Sequence, residues 1–126
     1  MNDRVERFVY DDQNHVYLHV WEFNRDIWAR FVAPDGTALG VPFAAAPHKL
    51  SFAGKPKVAY GAGEFLLTYA SDFNQYDIGS NVYGQIIAYT GGGPSGGGIF
   101  GDFIPISPFS NTGGTFQVTA DVVYNP

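Results

Sequence analysis

The feature that most constrains this chain is a four-segment pattern in residues 8–46, FVYDDQNHVYLHVWEFNRDIWARFVAPDGTALGVPFAAA, because most of the sequence beyond residue 46 repeats it. Residues 8–10 read as a short strand, 11–15 as a polar turn, 16–21 as a second strand and 27–32 as a third. Residues 39–44 make a fourth after a Pro-Asp-Gly turn. Four strands in under forty residues leave room only for tight antiparallel connections. By residue type, Val58-Ala59-Tyr60 repeats Phe8-Val9-Tyr10. Residues 65–69 repeat 17–21, residues 82–87 repeat 27–32, and residues 100–107 repeat 39–46. Residues 121–126, DVVYNP, begin a third copy and stop. A period of roughly 50 to 65 residues lies within reach of propeller-blade repeats, where each unit is a sheet unable to bury its own faces.

The second strand shows what kind of sheet this is. Side chains alternate across a strand, so Tyr17, His19 and Trp21 share one face while Val16, Leu18 and Val20 share the other. Neither face is polar, which predicts a sheet covered on both sides. On this reading Trp21 belongs to the core, and Trp28, beside Arg30, to a rim or ligand contact. At residues 33–37, Pro presets one corner, Asp bonds its own backbone and Gly is free to take positive φ, which predicts a hairpin connection.

These residues carry a family resemblance. The run V-A-Y, Y-L-x-V-W-E, D-I-W-A-R-x-V, P-D-G-T-x-L-G and a closing I-S is similar to the repeat of bacterial β-propeller proteins, often large and secreted, whose blade typically reads VAYNP…YLVVWE…DIYGQRV…DGT.LG…IS. The resemblance covers nearly the whole chain and implies an all-β fold of two four-stranded antiparallel blades, about residues 5–46 and 56–107. Residues 118–126 then form the first strand of a third. A single β-sandwich is the alternative architecture. The resemblance also implies an extracellular or cell-surface setting, although residues 1–7 are polar and carry no signal-peptide h-region. Copy two departs from the pattern: Tyr69-Ala70 stands where Trp-Glu is expected, and a glycine tract replaces the D-G-T-x-L-G turn.

Composition fits this reading. The 126 residues are 45% hydrophobic and 17% aromatic, ample for a packed core in one domain, residues 1–126. A net charge of −5, with seven scattered Lys and Arg, argues against nucleic acid as partner. No run approaches the roughly 18 apolar residues of a membrane span. There is no cysteine to cross-link the fold.

Each group that could carry chemistry has a plainer role beside it. The tract at residues 91–98 lacks the strand, Lys-Ser/Thr and helix of a phosphate-binding loop and reads as a flexible hairpin tip. Asp72, Asn74, Asp77 and Asn81 supply hard oxygens of the kind Ca²⁺ accepts. Their spacing lacks the Asp-x-Asp-x-Asp-Gly form and a bidentate Glu, so a solvated loop with no resident cofactor is expected. Glu22, Asp26, Asp72 and Asp77 sit at strand ends where two carboxylates could converge for glycoside hydrolysis, yet such carboxylates ordinarily keep turns soluble. His19 has no nucleophile in a motif nearby and reads as a satisfied buried or interface histidine. Trp28, Tyr76, Tyr83 and Tyr89 could stack on sugar rings, although aromatics at alternating strand positions more often fill cores.

The expectation is therefore a non-catalytic assembly or binding module that self-associates through its blade faces and through residues 118–124. Lectin-like carbohydrate binding is the second reading and a glycosidase-type enzyme the third. For a glycan ligand the expected contacts are Trp28, Arg30, Asp72, Asn74, Tyr76, Asp77 and Tyr83.

Overall fold

In the computed structural model, residues 6–47, 52–71, 81–105, 116–118 and 122–124 are described, and every regular element among them is a strand. The first sheet contains β1 (Glu6–Asp11), β2 (Val16–Phe23), β3 (Asp26–Val32) and β4 (Phe43–Ala44), paired antiparallel in chain order. The second contains β5 (Ala53–Gly61), β6 (Glu64–Ser71), β7 (Asn81–Tyr89) and β8 (Gly97–Pro105), again in chain order. β9 (Phe116–Val118) and β10 (Val122–Tyr124) pair as a two-stranded antiparallel sheet. The all-β class and both four-stranded sheets expected from the sequence are present.

Local chemistry sets the connections. Asn24 and Arg25, both at positive φ, close the β2–β3 hairpin, and Ala62 with Gly63 closes β5–β6 in the same way. Two successive positive φ angles match the twist of paired strands. The Pro-Asp-Gly turn forms as read: Gly36 N–H donates to Ala33 O at 2.9 Å, and Asp35 Oδ1 accepts from Thr37 N–H at 2.9 Å. Gly36 itself sits at φ 94°.

The two copies share one register. Tyr10 pairs with Tyr17 and Tyr17 with Val32, as Tyr60 pairs with Phe65 and Phe65 with Ile87. Trp21 pairs with Trp28, as Tyr69 pairs with Tyr83. The repeat read from residue types is thus a repeat of backbone pairing.

The main core lies between the sheets. The first contributes Leu18, Val20, Ile27, Ala29 and Phe31; the second contributes Phe65, Leu67, Tyr69, Tyr83 and Ile87, all essentially fully buried. Phe31 is central, with ring centroids 5.8 Å from Phe43, 6.4 Å from Phe65 and 5.1 Å from Tyr89. Burying a side chain of this size is worth about 1.5–3 kcal/mol. Polar seams close the rim. Arg7 Nε donates to Pro56 O at 3.1 Å, Ala53 N–H to Arg25 O at 3.0 Å and Val41 N–H to Pro94 O at 3.0 Å.

Four expectations are corrected. The fourth strand of copy one, expected over residues 39–44, shrinks to Phe43–Ala44. Val41 N–H is taken by Pro94 O in the connection between β7 and β8, Gly40 presses on the Pro94–Ser95 backbone, and Pro42 has no N–H to give. The second four-stranded unit, expected from about residue 56, starts earlier, because β5 already begins at Ala53. Residues 122–124 are not a lone strand, since β10 pairs with β9. Trp21 is not in the core: it is half-buried on the face turned away from the second sheet.

Candidate functional site

The face of the first sheet turned away from the core carries three cross-strand rows. Glu6, Trp21 and Trp28 form one, Phe8, His19 and Arg30 the next, and Tyr10, Tyr17 and Val32 the third. Alternation along β1, β2 and β3 places them there, since the intervening Leu18, Val20, Ala29 and Phe31 point into the core. Cross-strand neighbours lie about 4.5–5.5 Å apart at Cβ, so rings in a row touch.

The contacts are dense. Phe8 stacks on His19 with ring centroids 4.1 Å apart and planes 6° from parallel, and His19 in turn lies 4.7 Å from Trp21. The Arg30 guanidinium lies 5.8 Å from the Trp21 ring centre, within cation–π range. Its Nε–H is buried without an acceptor. His19 Nε2 and Glu6 Oε1 lie 3.1 Å apart, so the histidine is partnered and enclosed, as its sequence context indicated. Tyr10 packs 4.9 Å from Tyr17, and its hydroxyl lies 3.0 Å from His15 Nδ1. The face is nevertheless open, with Phe8 57% and Tyr10 39% exposed. The exposed rings are those of β1, while Tyr17, Trp21 and Trp28 beside them are half-buried.

The expected site residues divide. Trp28 and Arg30 lie together on this face. Tyr83 does not: it is 1% exposed, packed between Tyr69 at 6.0 Å and Phe103 at 5.5 Å, which withdraws it from any surface site. Asp72, Asn74, Tyr76 and Asp77 lie outside the described residues. Asn81 is described only as the first residue of β7, opposite Ser71. Among the described residues no three His, Asp or Glu come together as a metal site. No helix among them is long and apolar enough to cross a membrane.

The carboxylates at strand ends are engaged with backbone. Glu22 Oε2 accepts from Lys55 N–H at 3.1 Å and so pins the bulge in β5, where Lys55 takes φ 56°. Asp26 Oδ1 accepts from its neighbour Ile27 N–H at 2.8 Å. Asp11, fully buried, accepts from Gln13 N–H and Asn14 N–H at 2.9 Å each and from Asn14 Nδ2 at 2.8 Å. Burial alone would raise its pKa, but the hydrogen bonds from Asn14 and Gln13 outweigh it and hold the carboxyl below its usual value. Tyr60 lies beside it, its hydroxyl pushed up to about 12 by burial and by the Asp11 carboxylate. Burial also pushes the Tyr69 hydroxyl well above the ordinary tyrosine range.

Sequence reasoning missed Phe8, Tyr10, Tyr17 and Trp21 as members of the open face. The signal was present in the alternation, which put Tyr17 and Trp21 together with His19, but alternation does not tell which face is covered. Comparison of the chain with protein-family models, with curated proteins and with solved structures gives no match.

Proposed function

We propose that the chain is a non-catalytic assembly module of the β-propeller kind, its two sheets being successive blades that further blades complete. The observation that carries this reading is the succession of first strands. β1 lies against β5, and β10, whose Val-Val-Tyr is the third occurrence of the first-strand pattern, also lies against β5. First strands side by side in chain order are what blades around an axis produce. Closed rings hold about four to eight blades, which at two per chain means two to four chains. Light scattering at micromolar concentration tests this: a mass of two to four chains is expected, and a monodisperse single-chain mass overturns it.

Carbohydrate recognition is the second reading, favoured by half-buried Trp21 and Trp28 lying next to Arg30 and Glu6. Apolar rings bordered by polar groups are the usual surface for stacking a sugar. Binding on a glycan array that is lost in Trp28→Ala would support it, and an array without signal would leave assembly alone.

A further inference from the structure

The open face of the first sheet carries one arginine, and that arginine has nothing to bind. Among the described residues no hydrogen bond or ion pair reaches Arg30: its Nε–H is buried without an acceptor, and its Nη groups, equally without partners, are not buried. Glu6, the carboxylate of the same face, is taken by His19 at 3.1 Å. The equivalent position on the second sheet shows the contrast. Gln85 stands where β7 and β8 lose register, and its Nε2 donates to Phe100 O and Gly101 O at 3.2 Å. Arg30 stands at the matching break, between the Ala29–Phe43 pair and the Val32–Ala38 bridge, yet it donates to no carbonyl. Donors withdrawn from water in folded proteins are ordinarily paired, so this fork is left for a group from outside the chain.

Resting on the carbohydrate reading, in which this face stays open to solvent, we infer that it takes an acidic sugar, the pyranose ring against the Trp21–Trp28 row and its carboxylate on the Nη groups of Arg30. Arg30 is paired across the sheet with His19, yet its guanidinium lies 5.8 Å from the centre of the Trp21 ring, one row over. The charge is therefore at the border of the tryptophan row. Along β3 the backbones of Trp28 and Arg30 are about 7 Å apart, the spacing of alternate residues in a strand. A carboxylate projecting from the edge of a stacked ring meets the guanidinium there. The cation–π contact with Trp21 holds the fork in place, so less side-chain freedom is lost on binding. The planar fork donates to a carboxylate through two parallel N–H···O bonds. One arginine on a chain of net charge −5 matches one monovalent group, whereas a sulfated or phosphorylated chain would need a basic patch.

Trp21 and Trp28 are the two tryptophans of the chain, so intrinsic tryptophan fluorescence reports this face alone. The unmodified protein is titrated with trigalacturonic acid, with its methyl ester and with a hyaluronan tetrasaccharide. The expected result is a saturable change with the acids and binding about tenfold weaker with the ester, the scale of one charge-assisted contact. Arg30→Gln, which carries the amide that the second sheet holds at the same register, should bring the acids down to the level of the ester and leave the ester where it was, with an unchanged unfolding midpoint. If acid and ester bind alike, or if Arg30→Gln weakens both alike, the carboxylate contact is overturned and carbohydrate recognition stands. A heparin fragment that binds more tightly than the carboxylated sugars, and loses that advantage in Arg30→Gln, overturns the acid class in favour of a sulfated one. No response to either acid overturns the inference, and the glycan array then decides carbohydrate recognition separately.

Discussion

The two sheets pair their strands alike yet treat equivalent side chains differently. Trp21 and Trp28 face each other half-buried on the first sheet, whereas Tyr69 and Tyr83, at the same register on the second, are each 1% exposed. Arg30 lies over an open tryptophan; its counterpart Gln85 is fully buried and donates Nε2 to Phe100 O and Gly101 O at 3.2 Å. That amide fills the irregularity where β7 and β8 lose register between Gly84 and Ile86. Burial in this molecule is thus set by the layer that lies over a position. The bulky ring at the position is the same in kind on both sheets.

The largest expected effect comes from this contrast. Tyr69→Ala should cost about 3–5 kcal/mol, as large aromatic truncations in cores do. Trp21→Ala should cost about 1 kcal/mol, on the scale of partial burial. Denaturant titration measures both, and equal losses would mean that the open face is as structural as the core.

How much of the fold and the open face was legible in the sequence depends on whether the deciding contact was local. The strands, the alternation of Val16, Leu18 and Val20 against Tyr17, His19 and Trp21, and the Pro-Asp-Gly turn depend on neighbours a few residues away, and they are legible from the sequence alone. The pinning of Glu22 by Lys55 N–H spans 33 residues, so Glu22 looked like a free carboxylate at a strand end. Trp21 and Tyr83 were placed on the wrong sides of the division between core and surface for the same reason. Nothing in a strand's own pattern says which of two apolar faces another sheet will cover. The fourth strand failed because a carbonyl of the glycine tract, read as a free hairpin tip, competes for Val41 N–H.

The fourth strands offer the second contrast, two residues in the first sheet against nine in the second. Gly40 is what allows the first to leave its sheet, since a Cβ there would stand 2.6 Å from the Ser95 carbonyl carbon. Gly40→Ala should cost about 1–3 kcal/mol, the usual range for overpacking. Gly98, within β8, has open space around its Cβ position and no positive φ. Gly98→Ala should be neutral or stabilising by up to about 1 kcal/mol. Thermal unfolding of the two variants measures both, and a harmless Gly40→Ala would show that the chain at residues 39–42 can part from the glycine tract without loss.

The turns at the ends of the two first strands are held in different ways. After β1 the chain needs Asp11 to hold Gln13 and Asn14; after β5 the equivalent residue is Gly61, and Ala62 with Gly63 turns the chain without a side-chain acceptor. Asp11→Ala, which leaves two backbone donors without their acceptor, should therefore cost about 1–2 kcal/mol, while Gly61 has no corresponding acceptor to lose. The carboxyl is held below its ordinary value of about 3.9, so its contribution is fully present above that pH and is lost as pH falls through the lowered value. Tyr60 works at the other end of the scale. Its hydroxyl is raised to about 12, so the stability that favours its neutral form is present below about pH 10 and is lost as pH rises toward 12. The two are coupled, because the Asp11 charge is one of the causes of the Tyr60 shift. Asp11→Asn keeps an acceptor for the turn but removes the charge, so it should flatten the acid limb of the stability profile and let Tyr60 ionise at lower pH. The phenolate absorbance of Asp11→Asn, compared with that of Tyr60→Phe, measures this shift. An unmoved tyrosine titration would mean that burial alone sets Tyr60, and that Asp11 serves its own turn without reaching across to the second sheet.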